Sequence, residues 1–361
     1  MTRDFQSPAR YVQGPGVLGQ LNNYTSIFGE GKVYLIVDKF IAENYKDTIM
    51  KSFSEDKVNL AVFGGECSHA EIDKHVDALK KEKYVAVVGI GGGKTLDTSK
   101  AVGFYQNVPV LVAPTAASSD APSSALSVVY TEEGQFEEYL FLKQNPSAVI
   151  MDEEVIINAP VRLFKSGIGD ALATFYEADA TRKSNSPTLY GGSQTNAAYA
   201  LAKLCYETLL DDAVKAVAAV ENKSITQAVS NVIEANTLLS GLGFESGGLA
   251  GAHAIHNGMT AIEELHGLLH GEKVAFGTLT QMVLENRSLD EIYDVIDLCK
   301  QLDLPTNFEE LGIPNVSKEK LLECAHLANA ENDTMGNMPF EVTDEAIVGA
   351  MYTLDKLSQE F

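Results

Sequence analysis

The residues best equipped for chemistry fall in two places. The first is Gly89-Ile90-Gly91-Gly92-Gly93-Lys94-Thr95, where four glycines in five positions are followed by a lysine and a hydroxyl. An apolar run at residues 85–88 precedes this stretch and an amphipathic pattern follows it, so a buried strand is expected to hand over to a helix N-terminus. Backbone N–H groups and the helix dipole favour an anion at such a junction. Glycine admits the close approach of a pyrophosphate and allows the positive φ that such loops use. The stretch matches neither standard phosphate motif. A P-loop would need a glycine where Val88 stands. The G-x-G-x-x-G pattern fails because Gly89 and Gly91 are followed by Lys94, and Gly91 and Gly93 by Leu96. A bare strand-to-helix turn is the alternative, and it rarely needs so many glycines.

The second place lies in the C-terminal half. Asp170, in Ser166-Gly167-Ile168-Gly169-Asp170-Ala171-Leu172, stands where a helix is expected to start, so capping competes with ligation as its role. Four of the seven histidines, His253, His256, His266 and His270, fall between positions 253 and 270 among glycines and small residues. Carboxylate and imidazole together suit a divalent ion of zinc or iron type. His266 and His270 have i, i+4 spacing, although Gly267 and Gly271 weaken a helix there. Spacing does not choose among the four.

These residues need elements to hold them. Residues 32–37, 60–63, 85–88 and 108–112 read as buried strands ending at Asp38, Gly64-Gly65, the glycine loop and Ala113-Pro114-Thr115, with 148–151 as a last strand. Helical patterns such as 70–81 lie between them, which predicts a parallel sheet covered on both faces. Residues 127–130 and 138–142 flank a Glu-Glu-Gly turn region and read as an added hairpin. After Pro160 the patterns are helical, at 168–184, 193–210, 212–220, 225–240, 247–265, 272–285, 288–302, 318–328 and 343–357. Thr343 is an expected N-cap. The expected organisation is an α/β nucleotide-binding domain over residues 1–160 and an all-helical metal- and substrate-binding domain over 161–361.

Composition narrows the function classes. At 361 residues and 45% hydrophobic content the chain can bury two cores. A net charge of −23 opposes binding to nucleic acid or anionic membrane, since both need a basic face. No apolar stretch is long enough to span a bilayer, and no export-signal pattern opens the chain. Cys67, Cys205, Cys299 and Cys324 are scattered, so free core thiols in a reducing cytoplasm are expected.

Several blocks together carry a resemblance. They are Phe63-Gly64-Gly65-Glu66-Cys67-Ser68, residues 89–98, 113–127 and 167–173, Gly243-Phe244-Glu245-Ser246-Gly247-Gly248-Leu249 and His270-Gly271-Glu272-Lys273-Val274-Ala275-Phe276-Gly277. The chain resembles, nearly end to end, the bacterial glycerol dehydrogenases of the iron-containing (group III) alcohol dehydrogenase superfamily. The resemblance implies an N-terminal Rossmann-like α/β domain plus an all-α C-terminal domain, the dehydroquinate synthase-like architecture, with the active site in the cleft. It implies Asp170, His253 and His270 as metal ligands that also meet the substrate. Iron-dependent branches carry a further His one helical turn after the aspartate. Thr174 stands there, which fits the branch that uses zinc with three protein ligands.

For the cofactor the resemblance implies NAD. Asp38 would hold the ribose hydroxyls and repel a 2′-phosphate, although it precedes the glycine loop where an ordinary Rossmann acid follows it. Gly92, Gly93, Lys94 and Thr95 would cradle the pyrophosphate. Thr115 and Ser118 would reach the cofactor, with Ser124, Leu126 and Tyr130 around the nicotinamide. Asp120 would contact the polyol, and Asp120 or His256 would pass on the proton. The implied activity is NAD- and zinc-dependent oxidation of glycerol, or a related vicinal diol, to dihydroxyacetone by hydride transfer. The implied enzyme is a cytoplasmic homo-oligomer, octamers being frequent in the family. A superfamily alternative acts on a different or phosphorylated polyol, as glycerol-1-phosphate dehydrogenase does. Only Lys165 and Lys273 stand in the relevant windows to hold a phosphate. A non-enzymatic binding protein on the same scaffold is opposed by the intact loop and ligand residues.

Overall fold

The computed structural model describes residues 2–360. The chain divides into two compact units. One comprises Gln6–Ala117 and Ala121–Ala159; the other comprises residues 2–5, Ser118–Asp120 and 160–360. The short insert Ser118–Asp120 thus groups Asp120 with the helical unit, although it lies within the first 160 residues.

In the first unit, among the described residues, the strands are β1 (Tyr11–Gly14), β2 (Lys32–Val37), β3 (Val58–Val62), β4 (Tyr84–Gly91), β5 (Val110–Pro114), β6 (Leu126–Tyr130), β7 (Phe136–Phe141) and β8 (Ala148–Asp152). Six of them form one parallel sheet in the order β1-β8-β5-β4-β2-β3, and β6 and β7 form a separate antiparallel pair, the expected hairpin. Alternate residues of the central strands enter opposite cores. Leu35, Val37, Val88 and Ile90 pack on one face, and Tyr34, Ile36 and Val87 on the other with Ile72, Ala101 and Val102. Each such side chain contributes roughly 1.5–3 kcal/mol of transfer free energy, which is why these strands read as continuous apolar runs. β1 was not expected. Its four residues are only half-buried, and it is held by pairing Tyr11 through Gly14 with Val149 through Asp152 of β8.

The chain leaves β2 toward β3 on one side and returns as β4 on the other. The strand order therefore reverses between β2 and β4, and a crevice at their carboxyl ends is the ligand position in open α/β sheets. The helix Gly93–Gln106 starts there. The glycines before it do different things. Gly89 lies inside β4, where a Cβ would overlap the Ser99 hydroxyl. At Gly91 a Cβ would sit 2.8 Å from both Asp38 Oδ2 and Thr95 Oγ1. Gly92 and Gly93 face open space, and neither has the positive φ expected of the loop.

In the second unit the helix Val161–Ser184 starts straight after Pro160. Asp170 therefore lies well inside it, and the capping role is excluded. Asn196–Glu221 is a single helix where two were expected. The pattern at 225–240 continues through a π-helical turn, Ala235–Leu239, into the helix Ser240–Gly247. The expected helix over 247–265 is broken. Gly248 has φ +98°, the helix Gly251–Met259 follows, and a separate 3-10 turn forms at Glu263–Leu265. Thr343 Oγ1 accepts from Ala346 N at 3.2 Å, the expected cap of Asp344–Glu360.

All four cysteines are buried thiols. Burial pushes Cys67, Cys299 and Cys324 up to about 12, so they are inert at neutral pH. No described helix is long and apolar enough to cross a membrane.

Gly89 and Gly92 offer a direct contrast. Gly89→Ala is expected to destabilise the protein by about 1–3 kcal/mol through overpacking. Gly92→Ala should leave the thermal unfolding midpoint unchanged, because nothing lies within 4 Å of its Cβ position. Equal midpoints for the two variants in a thermal scan would show that β4 does not pack as described.

Candidate active site

The cluster in the helical unit is created by one close helix crossing. A Cβ on Gly169 would overlap the Gly271 carbonyl oxygen, and a Cβ on Gly271 would overlap the Ser166 carbonyl oxygen. The backbones of Val161–Ser184 and His270–Leu284 can touch only because both positions are glycine. Gly271 N donates to Ser166 Oγ at 3.2 Å across the crossing. Asp170 and His270 each sit one residue from the contact and so face one another.

Asp170 is fully buried. Its Oδ1 lies 2.8 Å from His270 Nε2 and 3.5 Å from His253 Nε2, yet it accepts no hydrogen bond. Its Oδ2 accepts from Asp120 N at 3.2 Å. The three donor atoms lie within 4.8 Å of one another. Burial alone would push the Asp170 carboxyl up. The charge of His270 and the nearness of His253 outweigh it and hold the group well below the usual carboxylate range. One carboxylate oxygen and two imidazole nitrogens converge at close range, and the buried oxygen has ion-pair contacts but no well-directed hydrogen bond. That is a donor set into which zinc or ferrous ion fits.

Glu177, which the sequence reading did not single out, orients His253. Its Oε2 lies 2.6 Å from His253 Nδ1, and its Oε1 accepts from the backbone N–H of Ala250 and of His253, both at 2.9 Å. With Nδ1 held by Glu177, Nε2 is the nitrogen of His253 left to face Asp170. Burial would lower the His253 pKa, but the Glu177 charge drives it well above the usual value. Glu177 is seven residues after Asp170, two helical turns along the same face; that spacing was the available signal.

Asp120 stands beside the cluster. Its Oδ2 accepts from Ser240 Oγ at 2.7 Å, and Ser240 Oγ lies 2.7 Å from Thr174 Oγ1. Thr174 is thus engaged in a hydroxyl chain to Asp120. Burial, and next the Asp170 charge, raise the Asp120 carboxyl well above its ordinary value. His256 packs edge-on against His270 with ring centroids 4.3 Å apart. Burial and the neighbouring His270 and Lys273 charges depress its pKa. His266 does not join the cluster. It follows the 3-10 turn Glu263–Leu265 and bonds the Thr260 carbonyl at 3.0 Å, so no i, i+4 pair with His270 forms.

In the first unit, Asp38, Gly92, Gly93, Lys94, Thr95 and Thr115 gather at the carboxyl ends of β2, β4 and β5. Asp38 caps the helix Lys39–Asn44 by accepting from Ile41 N at 2.8 Å, and its carboxylate also accepts from Gly92 N. Burial raises its carboxyl despite those bonds. Thr115 N donates to Gly91 O at 3.1 Å. Gly92 is the N-cap of Gly93–Gln106 and no side chain caps that helix; Thr95 N bonds the Gly92 carbonyl at 3.0 Å, and a Cβ at Gly92 or Gly93 would meet nothing within 4 Å. Lys94 Nζ lies 2.6 Å from Glu66 Oε2 and 4.8 Å from the centre of the Tyr130 ring. Ser124 and Leu126 are placed by the buried Lys100, whose ammonium takes the carbonyl oxygens of both as well as that of Ala121. Ser118 belongs to the helical unit, where its carbonyl accepts from Ser166 Oγ. Lys100 is also ion-paired with Asp97 at 2.9 Å, whereas the carbonyls it holds lie more than twenty residues away, as Lys94 does from Glu66.

Comparison with known proteins identifies the family. A family model described as iron-containing alcohol dehydrogenase matches residues 8–153. A glycerol dehydrogenase of Citrobacter freundii is 46% identical over 363 residues, covering 100% of this chain and 99% of that one. A glycerol dehydrogenase of Pseudomonas putida is 47% identical with the same coverage. The crystal structure of glycerol dehydrogenase from Schizosaccharomyces pombe superposes with a TM-score of 0.95 at 40% identity, covering 99% of this chain and 91% of that one. At this identity over its whole length, the chain belongs to the glycerol dehydrogenase family of iron-containing alcohol dehydrogenases.

Proposed function

We propose that the chain is an NAD- and zinc-dependent glycerol dehydrogenase, which converts glycerol and NAD⁺ to dihydroxyacetone, NADH and a proton and accepts related vicinal diols. The observation that supports it most is the buried Asp170 Oδ1, which faces two imidazole nitrogens and accepts no hydrogen bond. In this reading Asp170, His253 and His270 would hold the zinc and stand next to the substrate. A divalent ion there would make a hydroxyl more acidic near neutral pH. Asp120 accepts a polyol hydroxyl, and Ser240 keeps its carboxylate aimed.

The dinucleotide residues follow the same logic. The pyrophosphate lies on the N–H groups of Gly93–Gln106, with Gly92, Gly93, Lys94 and Thr95 around it. Asp38 takes the ribose hydroxyls. Thr115, Ser124, Leu126 and Tyr130 are the further cofactor residues of the same unit, and Ser118 is assigned to the cofactor from the helical unit. NAD supplies the hydride acceptor, and the protein supplies placement and electrostatics. An unphosphorylated substrate fits the charges present. Lys165 is ion-paired with Asp303 at 2.6 Å, and burial disfavours the Lys273 ammonium.

Asp170→Asn is expected to abolish zinc binding and NADH formation from glycerol while circular dichroism stays native. A metal-free Asp170→Asn protein that still turns over would remove the assignment. Chelation of the wild-type protein should likewise end NADH formation, zinc should restore it, and glycerol 1-phosphate should not replace glycerol. Asp38→Asn keeps the helix cap and removes the charge, so kcat/KM with NADP should rise roughly tenfold relative to NAD, equivalent to about 1.4 kcal/mol. An unchanged cofactor ratio would count against the ribose role of Asp38.

A further inference from the structure

His256 has both ring nitrogens engaged. Its Nε2 lies 3.0 Å from His270 Nδ1, and its Nδ1 lies 3.1 Å from Asn257 Oδ1. Asn257 Nδ2 in turn donates to Asp333 Oδ2 at 3.0 Å. We propose that Asp333 is a positioning residue for the metal site: through Asn257 and His256 it decides which nitrogen of His270 carries the hydrogen, leaving Nε2 bare for the cation. The inference rests on the metal reading above.

The direction of the chain follows from what each group can do. Asp333 Oδ1 is committed to Thr334 N at 2.7 Å, where it caps the turn Thr334–Asn337. A carboxylate accepts only, so the Asn257 amide must point its nitrogen at Asp333 and its oxygen at His256. An amide oxygen also accepts only, so the hydrogen of His256 sits on Nδ1. Neutral His256 then offers Nε2 as an acceptor, and His270 must donate to it from Nδ1. With a cation in place, His270 Nε2, which lies 2.8 Å from Asp170 Oδ1, would then be the nitrogen without a hydrogen. The reverse orientation would place a hydrogen on Nε2 where a cation has to bind. Each ligand imidazole is therefore oriented by a carboxylate. Glu177 reaches His253 directly, whereas Asp333 reaches His270 through two intermediaries. His256 serves here as a link in this chain.

Asp333→Asn tests the direction. The new side chain can keep the cap on Thr334 through its oxygen, but it presents a donor to Asn257. The Asn257 amide must turn over, and every hydrogen along the chain reverses. The double variant N257D/D333N restores the original sense, because a carboxylate at position 257 accepts from both neighbours. The readouts are the affinity of chelator-stripped protein for cobalt(II), by competition with a chelator, and the cobalt d–d absorption spectrum. Asp333→Asn is expected to weaken cobalt binding about 10–100-fold and to change the spectrum, with an unchanged unfolding midpoint of the apoprotein. The double variant is expected to recover both readouts. Wild-type affinity in Asp333→Asn would overturn the proposal, as would a double variant as weak as the single one. Wild-type protein that binds cobalt no better than Asp170→Asn would instead remove the metal reading, and this inference with it.

Discussion

The site in the helical unit depends on a carboxylate held out of water. Taking a carboxylate into a protein interior costs several kcal/mol even after relaxation. Asp170 incurs that cost with one oxygen accepting no hydrogen bond. Its surroundings can be read as the response. The Gly169–Gly271 crossing brings in His270, the helix Gly251–Met259 brings in His253, and Asp120 N satisfies the second oxygen. If either glycine carried a side chain, the helices would stand further apart and the carboxylate would lose its nearest positive partner.

The charge balance points the same way. Asp120, Asp170 and Glu177 are all buried, and each is linked by a hydrogen bond or close contact to the same cluster. Two imidazoles cannot neutralise three carboxylates. Burial, and next the Asp170 charge, raise the Asp120 carboxyl, while the Glu177 charge outweighs burial and raises the His253 imidazole. A divalent cation among Asp170, His253 and His270 would relieve the surplus and let both imidazoles stay neutral, as ligands must be. A metal-free structural role would instead leave the surplus standing at the centre of the unit.

The sequence showed some of this directly. The central strands were visible because burial on both faces makes them uninterrupted apolar runs. The glycine loop was visible because so many residues without side chains are rare. Asp170, His253 and His270 were among the candidates, and the structure brings those three together. Other features depend on distant partners. β1 owes its existence to β8 and has no apolar pattern of its own. The start of Val161–Ser184 was placed too late, at 168, and Gly169 is there for a crossing whose other half lies about a hundred residues on. His256 and His266 are equivalent by spacing. They are separated by the break between Gly251–Met259 and His270–Leu284, which leaves one against His270 and the other on the surface. Asp333 looks like any exposed acid until its amide partner is known.

The glycine loop shows how the same residue type is used for opposite ends. Gly89 and Gly91 are filled against, by Ser99 and by Asp38 with Thr95, and bring the helix Gly93–Gln106 onto its strand. Gly92 and Gly93 are left open. The two carboxylates near the loop, Asp38 and Glu66, would repel a phosphate, and Lys94 is already paired with Glu66. An anion there must therefore be held chiefly by backbone N–H groups and the helix dipole, which depend on no side-chain charge. Asp38 is itself held by backbone N–H groups, including that of Gly92, so it can face a ribose while the groups next to it face a phosphate. The close approach at Gly91 is what would let those two proposed roles lie side by side.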